Sequence, residues 1–163
     1  MGRWKPPPPK SSPYITSTGF EALREELKML WLRRRDVVKA LSAAAAEGDR
    51  SENAEYIYRK KELGGIDYRI RYLQKRMPNL TVVTDNPTTE RVFFGAWVSL
   101  EKEDGEEVEY RIVGPDETDT KTGFISMDSP LAKALLKKSL DDEVTLTLQG
   151  ERTDYLITGI RYN

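Results

Sequence analysis

Two stretches of apolar residues at alternating spacings of three and four constrain the fold of this chain most strongly. The first runs from near Thr18 to about Ala46, and the second follows Gly48 and ends at Pro78. Such spacing places apolar side chains on one stripe of a helix. Two helices of similar length joined by a few residues return antiparallel, and each then covers the stripe of the other. The sequence therefore predicts an antiparallel coiled-coil hairpin.

Local signals refine the two predicted helices. The stripe positions are Phe20, Leu23, Leu27, Leu30, Val37, Leu41 and Ala44 in the first helix and Tyr56, Leu63, Ile66, Ile70, Leu73 and Met77 in the second. Arg34 interrupts the first stripe, and Arg59 interrupts the second. Thr18, with Glu21 three residues later, predicts a capping box at the start of the first helix. Gly64 and Gly65 weaken the second helix, because a helical glycine costs roughly 1 kcal/mol relative to alanine.

From Leu80 onward the pattern changes to short runs typical of β-strands. The runs are Leu80 to Thr84, Val92 to Leu100, Val108 to Val113, Gly123 to Met127, Val144 to Leu148 and Tyr155 to Tyr162. The pairs Asp104-Gly105 and Gln149-Gly150 lie between consecutive runs and favour antiparallel hairpins. Ser129 as a cap and Pro130 at the first helical position predict a short helix among the strands.

These patterns predict an α+β protein in three parts. Residues 1–13 form a flexible tail, because Pro6 to Pro9 favour an extended polyproline conformation and exclude a helix or a paired strand. Residues 14–78 form the coiled-coil hairpin. Residues 79–163 form a small antiparallel β domain with one short helix.

The composition excludes several classes of chemistry. The chain has neither Cys nor His, which removes disulfides, thiolate nucleophiles, Cys/His zinc sites and imidazole bases. Any chemistry must therefore use carboxylates, hydroxyls, Lys or Arg. No run approaches the ~20 apolar residues that cross a bilayer, and the N-terminus has no secretory signal pattern. We expect a cytoplasmic protein that does not act at a membrane.

Charge is distributed unevenly along the chain. Residues 1–80 contain 17 Lys and Arg against 10 Asp and Glu, whereas residues 81–163 contain 9 against 17. A basic half can bind phosphate and an acidic half can bind a basic protein surface. The need for solubility explains the same distribution equally well, so charge alone does not identify a partner.

The connection between the predicted helices carries two acidic residues, Asp49 and Glu52, three positions apart. Side chains at that spacing are neighbours across a helical turn, and two carboxylates can share one Mg²⁺. The competing interpretation is a second capping box, with Asp49 as the cap and Glu52 three residues later. The two roles can coexist.

The second helix is basic just beyond this connection. Arg59, Lys60 and Lys61 follow one another, with Tyr56 and Tyr58 nearby. Lys and Arg neutralise phosphates and aromatic rings stack on unpaired bases, so the pattern is compatible with binding of single-stranded nucleic acid. The alternative is an ordinary solvated helix surface, since Lys and Arg are good helix formers.

Several segments together resemble the bacterial GreA/GreB transcript cleavage factors, and most of all the GreB branch. They are Gly48 to Tyr56, Tyr58 to Lys61, Arg69 to Leu73, Phe93 to Val98 and Ile125 to Leu136. The resemblance covers Tyr14 to Tyr162 in one register. The proline-rich tail and Gly64-Gly65 depart from the family pattern, and neither lies in these motifs.

The resemblance implies a fold, a partner and a reaction. In this family an FKBP-like C-terminal domain docks at the rim of the secondary channel of bacterial RNA polymerase, and the hairpin enters the channel. Asp49 and Glu52 match tip acids that complete the polymerase active site when the RNA 3′ end protrudes from a backtracked complex. There they help to retain a second magnesium ion, which they do not bind tightly alone. The chain would be an accessory factor for RNA cleavage rather than an enzyme by itself.

Further roles follow from the same resemblance. Lys60 and Lys61, with Arg59 beside them, match a basic patch that contacts the protruding RNA. The segment Asp128-Ser129-Pro130 matches a loop that holds the polymerase. We expect the chain to act as a monomer.

Two alternative functions remain open at the level of the sequence. One is a regulator that occupies the secondary channel without cleaving RNA, although the intact Asp49 and Glu52 argue against it. The other is a coiled-coil adaptor or chaperone, in which the charges of the hairpin serve only solubility and packing.

Overall fold

The structure is a computed structural model that describes residues 10–49, 52–84 and 90–162. Residues 1–9, which hold most of the predicted tail, lie outside the described residues. The described residues belong to two compact units. One unit spans Thr18–Leu80, and the other combines Met1–Ser17 with Thr81–Asn163. The predicted α+β class is confirmed.

The first unit is a helical hairpin formed by α1, Ser17–Ala45, and α2, Ala54–Arg76. Every predicted stripe position is buried or half-buried. The fully buried positions are Leu23, Val37, Ala44, Ile66, Ile70 and Leu73. Pro78 lies in a 3₁₀ turn, Met77–Asn79, directly after α2, where the sequence predicts that the helix stops.

Ion pairs join the two helices along the stripe. They are Arg33–Glu62, Arg34–Asp67 and Arg69–Glu26, with N–O distances of 2.8, 2.7 and 2.6 Å. Positions later in α1 pair with positions earlier in α2, so the helices run antiparallel. Partly exposed pairs of this kind contribute about 0–1 kcal/mol each. Burial of the apolar stripe therefore supplies most of the stabilisation, and the ion pairs fix the register.

The predicted capping box at the start of α1 is wrong. The helix begins at Ser17, so Thr18 and Glu21 both lie inside it. The chain reaches the helix directly from a short strand, β1, Tyr14–Thr16. The change from extended to helical backbone consequently falls between Thr16 and Ser17, two residues earlier than a cap at Thr18 predicts.

Gly64 and Gly65 lie on the exposed surface of α2, and no atom approaches within 4 Å of the position a Cβ would take. Replacing either residue with Ala should therefore raise the free energy of unfolding by about 0.5–1 kcal/mol. Denaturant unfolding followed by circular dichroism measures the gain. Gly48→Ala is the matched control, because its Cβ is equally free but its φ of +118° is strained for other residues. A gain for Gly48→Ala equal to that for Gly64→Ala would contradict this explanation.

In the described part of the second unit, five strands form a mixed sheet in the order β5-β4-β3-β7-β6. The strands are β3, Trp97–Lys102; β4, Glu107–Val113; β5, Phe124–Ser126; β6, Glu143–Leu148; and β7, Glu151–Arg161. Both predicted hairpins form, with Gly105 at φ 84° and Gly150 at φ 81° in their turns. The pairing of β4 with β5 is parallel, so the prediction of antiparallel pairing is wrong for these two strands and right for the other three pairs of the sheet.

A short helix, α3, Pro130–Leu135, packs on this sheet. Ala132 and Leu135 are buried in the core of the unit. Their buried neighbours from the strands include Val98, Leu100, Ile112, Val144 and Ile157. Val98 with Leu100 and Ile112 with Val144 thus show that side chains from several of the predicted strand runs form the core.

The N-terminal segment belongs to the second unit, and this differs from the predicted boundaries. Strand β1 pairs in parallel with β2, Thr81–Val83, although the sequence assigns residues 14–16 to the hairpin. The backbone N–H and hydroxyl of Thr16 both donate to the Glu117 carboxylate. Gly114 lies so close to β1 that a Cβ there would be 1.9 Å from the carbonyl oxygen of Tyr14. A side chain at position 114 would therefore displace the strand.

Candidate functional site

The tip loop, residues 46–53, connects α1 to α2 at one end of the hairpin. The N–H of Glu47 donates to the carbonyl oxygen of Ala44 at 3.2 Å and closes the end of α1. Gly48 then turns the chain with φ +118°, a conformation that favours glycine. Asp49 and Glu52 follow this turn, and both are exposed.

Asn53 caps the second helix. Its φ and ψ of −89° and 97° are extended, and its side-chain oxygen accepts from the N–H of Tyr56 at 3.0 Å. Helix α2 begins at Ala54, so Asp49 and Glu52 both precede it. The predicted capping box of Asp49 and Glu52 is therefore wrong, because Asn caps a helix about as well as Asp and already holds this position.

The tip thus presents two exposed carboxylates, neither of which is the N-cap of α2. Carboxylate oxygens are ligands that Mg²⁺ prefers, and one or two carboxylates commonly hold it together with water and substrate phosphates. Among the described residues, no group of three or more Asp, Glu, His or Cys side chains is arranged to hold a metal ion. Two carboxylates are donors of the kind that Mg²⁺ prefers, and they would fill only part of its coordination shell.

Lys60 and Lys61 lie on α2 close to the tip loop, and both are exposed. The Lys60 ammonium lies 6.0 Å from the centre of the Tyr56 ring, at the outer limit of a cation–π contact. Within the described residues, neither lysine forms an ion pair with a carboxylate. Their charges are therefore available to an anionic partner.

Arg59 differs from the two lysines. Its guanidinium donates to Glu55 at 2.8 Å and to Glu62 at 3.1 Å, and its side chain is only 24% exposed. The hydrogen bond to Glu55, together with the charges of both glutamates, raises the pKa of Arg59 above its ordinary value. Because two carboxylates already compensate its charge, Arg59 is less suited than Lys60 or Lys61 to bind phosphate.

The predicted docking loop, Asp128-Ser129-Pro130, lies in the second unit at the start of α3. The Ser129 hydroxyl accepts from the N–H of Ala132 at 3.2 Å, and Pro130 occupies the first helical turn, so the predicted cap is confirmed. The Asp128 carboxylate accepts from both the N–H and the hydroxyl of Ser12, the former at 2.9 Å. The candidate residues therefore lie in different units. The two acids and the lysines are in the hairpin, and the predicted docking loop is in the second unit.

Two residues that contribute to these sites, Asn53 and Ser12, were not identified from the sequence. Asn53 is a preferred capping residue, but Asp49 and Glu52 offered a competing capping pattern a few residues earlier. No local pattern predicts the contact of Ser12 with Asp128, because the two residues are 116 positions apart in the chain.

Family models match both units. The model described as "Transcription elongation factor, N-terminal" matches residues 13–82. The model described as "Transcription elongation factor, GreA/GreB, C-term" matches residues 87–162. The helical hairpin with two acids in its tip loop and the small α+β unit are thus those of a transcription elongation factor. Within that class, the chain belongs to the GreA/GreB family.

Individual relatives agree with this assignment. Transcription elongation factor GreB of Xanthomonas axonopodis pv. citri is 56% identical over 99% of this chain and 98% of its own length. GreB of Pseudomonas aeruginosa is 54% identical over 96% of this chain and 95% of its own length. These relatives confirm the resemblance to GreB seen in the motifs.

A solved structure is also similar. It is described as the prokaryotic transcription elongation factor GreA/GreB from Nitrosomonas europaea, and it is 23% identical. The match covers 93% of this chain and 100% of the solved one, with a TM-score of 0.41. Family membership rests on the sequence relatives and not on this structural match. No helix within the described ranges combines the length and apolar character that crossing a bilayer requires.

Proposed function

We propose that this transcription elongation factor binds bacterial RNA polymerase through the secondary channel and stimulates cleavage of the RNA 3′ end in backtracked complexes. The second unit docks on the polymerase, and the hairpin carries its tip to the RNA. Similarity to GreB over nearly the whole chain supports this proposal. The factor completes a site on the polymerase and has no cleavage activity by itself.

The observation that carries the proposal is the cap of α2. Asn53 supplies the hydrogen bond that starts the helix, so Asp49 and Glu52 have no capping role to explain them. Both carboxylates are exposed on a loop next to a glycine turn. Two exposed acids, neither of which is the N-cap of α2, are suited to a reaction at the tip.

The two acids would act on water and on a cation. Carboxylate oxygens of Asp49 and Glu52 accept hydrogen bonds from a water molecule and can orient it toward a phosphodiester. A magnesium ion held jointly by these acids and the polymerase would supply positive charge at the phosphate and lower the pKa of a bound water. The water oxygen forms a bond to phosphorus as the bond between phosphorus and the RNA 3′ oxygen breaks. The phosphate leaves on the 5′ end of the released fragment, and the 3′ oxygen takes up a proton and becomes the new RNA 3′ end in the polymerase.

A cleavage assay on backtracked polymerase complexes tests the proposal against its alternatives. Release of RNA fragments in the presence of the protein supports it. Binding to the polymerase without fragment release would instead identify a regulator that only occupies the channel. Absence of polymerase binding would favour a coiled-coil adaptor.

Neutralising Lys60 and Lys61 together, as Gln, should weaken the action on long protruding RNA more than on short RNA. A longer strand brings more phosphates within reach, and each lysine contributes about 0.7 to the slope of log affinity against log salt for a single strand. Half-saturating concentrations at several salt concentrations measure this slope. Lys75→Gln, on the exposed surface near the other end of α2, is the control. Equal losses on long and short RNA would count against an RNA-binding role.

A further inference from the structure

Asn53 lies at the base of the tip loop and hydrogen-bonds to both helices of the hairpin. Its side-chain oxygen accepts from the N–H of Tyr56 at 3.0 Å, in the first turn of α2. Its side-chain amide donates to the carbonyl oxygen of Ala44 at 2.7 Å, in the last turn of α1. One partner is a donor and the other an acceptor, so the amide fits in a single orientation.

The bond to Ala44 joins the two ends of the loop. Ala44 itself is held in place, since its side chain is only 3% exposed. Its carbonyl oxygen also accepts from Glu47, and the chain then passes through Gly48, which favours many backbone conformations. The bond from Asn53 spans nine positions of the chain. It limits the conformations of the loop segment that contains Asp49 and Glu52, because both ends of that segment are fixed.

Asparagine is specifically suited to this place. Asp, Ser and Thr can all cap α2 through a side-chain oxygen, but an ionised Asp has no donor for Ala44. Ser and Thr have a single hydroxyl on a shorter side chain and no NH₂ group to donate to Ala44. Only Asn combines a good capping oxygen with an N–H group on the opposite side of the same planar group.

We propose that Asn53 is a positioning residue: its side chain closes the base of the tip loop and holds Asp49 and Glu52 in the arrangement that cleavage requires. This inference rests on the proposed function of the two acids. Groups that act on a reacting phosphate must be held within about 0.5 Å of their productive positions. A loop that turns at glycine needs a fixed cross-link to meet that demand, and Asn53 provides it.

The first test uses the free protein. Asn53→Ser keeps a capping oxygen for Tyr56 but removes the amide bond to Ala44. Backbone order parameters from NMR relaxation at Asp49 and Glu52 should fall in this variant, from about 0.85 toward 0.6 or below. The order parameter of Tyr56 should stay unchanged, since the helix is still capped. Unchanged values at Asp49 and Glu52 would overturn the proposal.

The second test measures cleavage with the full-length protein and backtracked polymerase. Asn53→Ser should lower the cleavage rate at saturating protein roughly 10- to 100-fold, the usual cost of removing a partner that orients a ligand. The protein concentration at half-saturation should stay the same, and the magnesium concentration at half-maximal rate should rise. Asn53→Asp, which also keeps the cap and loses the donor, should behave alike.

Asp49→Asn separates failure of this inference from failure of the proposed function. If the wild type does not cleave, or if Asp49→Asn cleaves as well as the wild type, the proposed function fails and the inference falls with it. If Asp49→Asn abolishes cleavage while Asn53→Ser cleaves at the wild-type rate and magnesium dependence, only the positioning role of Asn53 is overturned.

Discussion

Asp49→Asn is expected to lower the cleavage rate at saturating protein on the order of 100-fold or more, the size typical of losing a group that acts on developing charge at the reacting centre. The substitution removes a negative charge but leaves a side chain of the same size. Glu52→Gln should have a similar effect, because both acids serve one reaction. Single-turnover cleavage of a defined backtracked complex, with the protein in excess, measures the rate without a contribution from binding.

The fold should survive these substitutions. The N-cap of α2 is Asn53, and neither acid has this role. The free energy of unfolding should therefore change by less than about 0.5 kcal/mol. Glu47→Gln is the matched control, since Glu47 is an exposed acid on the same loop and is not part of the proposed site. It should cleave as the wild type does. Wild-type cleavage by Asp49→Asn would contradict the catalytic role, and a large loss with Glu47→Gln would point to the overall charge of the tip instead.

The hairpin and most strands could be predicted because burial imposes a period on the sequence. Positions such as Val37, Ile70 and Leu73 repeat at helical spacing, and each is buried where the pattern places it. In the second unit, Ile112 and Val144 lie in alternating runs and are buried in the core. Each of these elements is indicated by several positions of a repeated pattern. Its prediction therefore does not depend on the interpretation of any single residue.

The start of α2 could not be predicted from local pattern alone. Asp49 with Glu52 and the single residue Asn53 are both acceptable capping arrangements. The structure selects Asn53, whose amide also reaches Ala44 across the loop. That bond depends on how the two helices come together, and a pattern that spans four residues does not contain this information. For the same reason, the local sequence did not indicate the positioning role of Asn53.

The grouping of the N-terminal segment with the second unit could not be predicted for a related reason. Strand β1 has only three residues, too few for a clear alternation, and its partner β2 lies beyond the whole hairpin. Its anchors are equally remote, since Thr16 contacts Glu117 at a separation of 101 residues. Contacts between such distant positions are set by the tertiary fold and leave no periodic signal.

Asp128→Ala is expected to raise the protein concentration needed for half-maximal cleavage roughly 10- to 100-fold, the range that corresponds to losing one charged hydrogen bond at a binding surface. The maximal rate at saturation should stay largely intact, because no group near the reacting phosphate changes. A titration of the variant against a fixed amount of backtracked complex gives both quantities. An unchanged half-saturation with a lower plateau would refute docking through this loop.

Because Asp128 also contacts Ser12, a second variant is needed to interpret the effect of Asp128→Ala on half-saturation. Asp128→Ala removes the carboxylate that would meet the polymerase and also the acceptor that anchors Ser12. Ser12→Ala removes only the hydroxyl bond and leaves the backbone N–H and the carboxylate in place. If Asp128 contacts the polymerase directly, Ser12→Ala should bind nearly as well as the wild type. If Asp128 acts by holding the N-terminal segment, Ser12→Ala should reproduce a substantial part of the loss, and direct docking by the carboxylate would then be excluded.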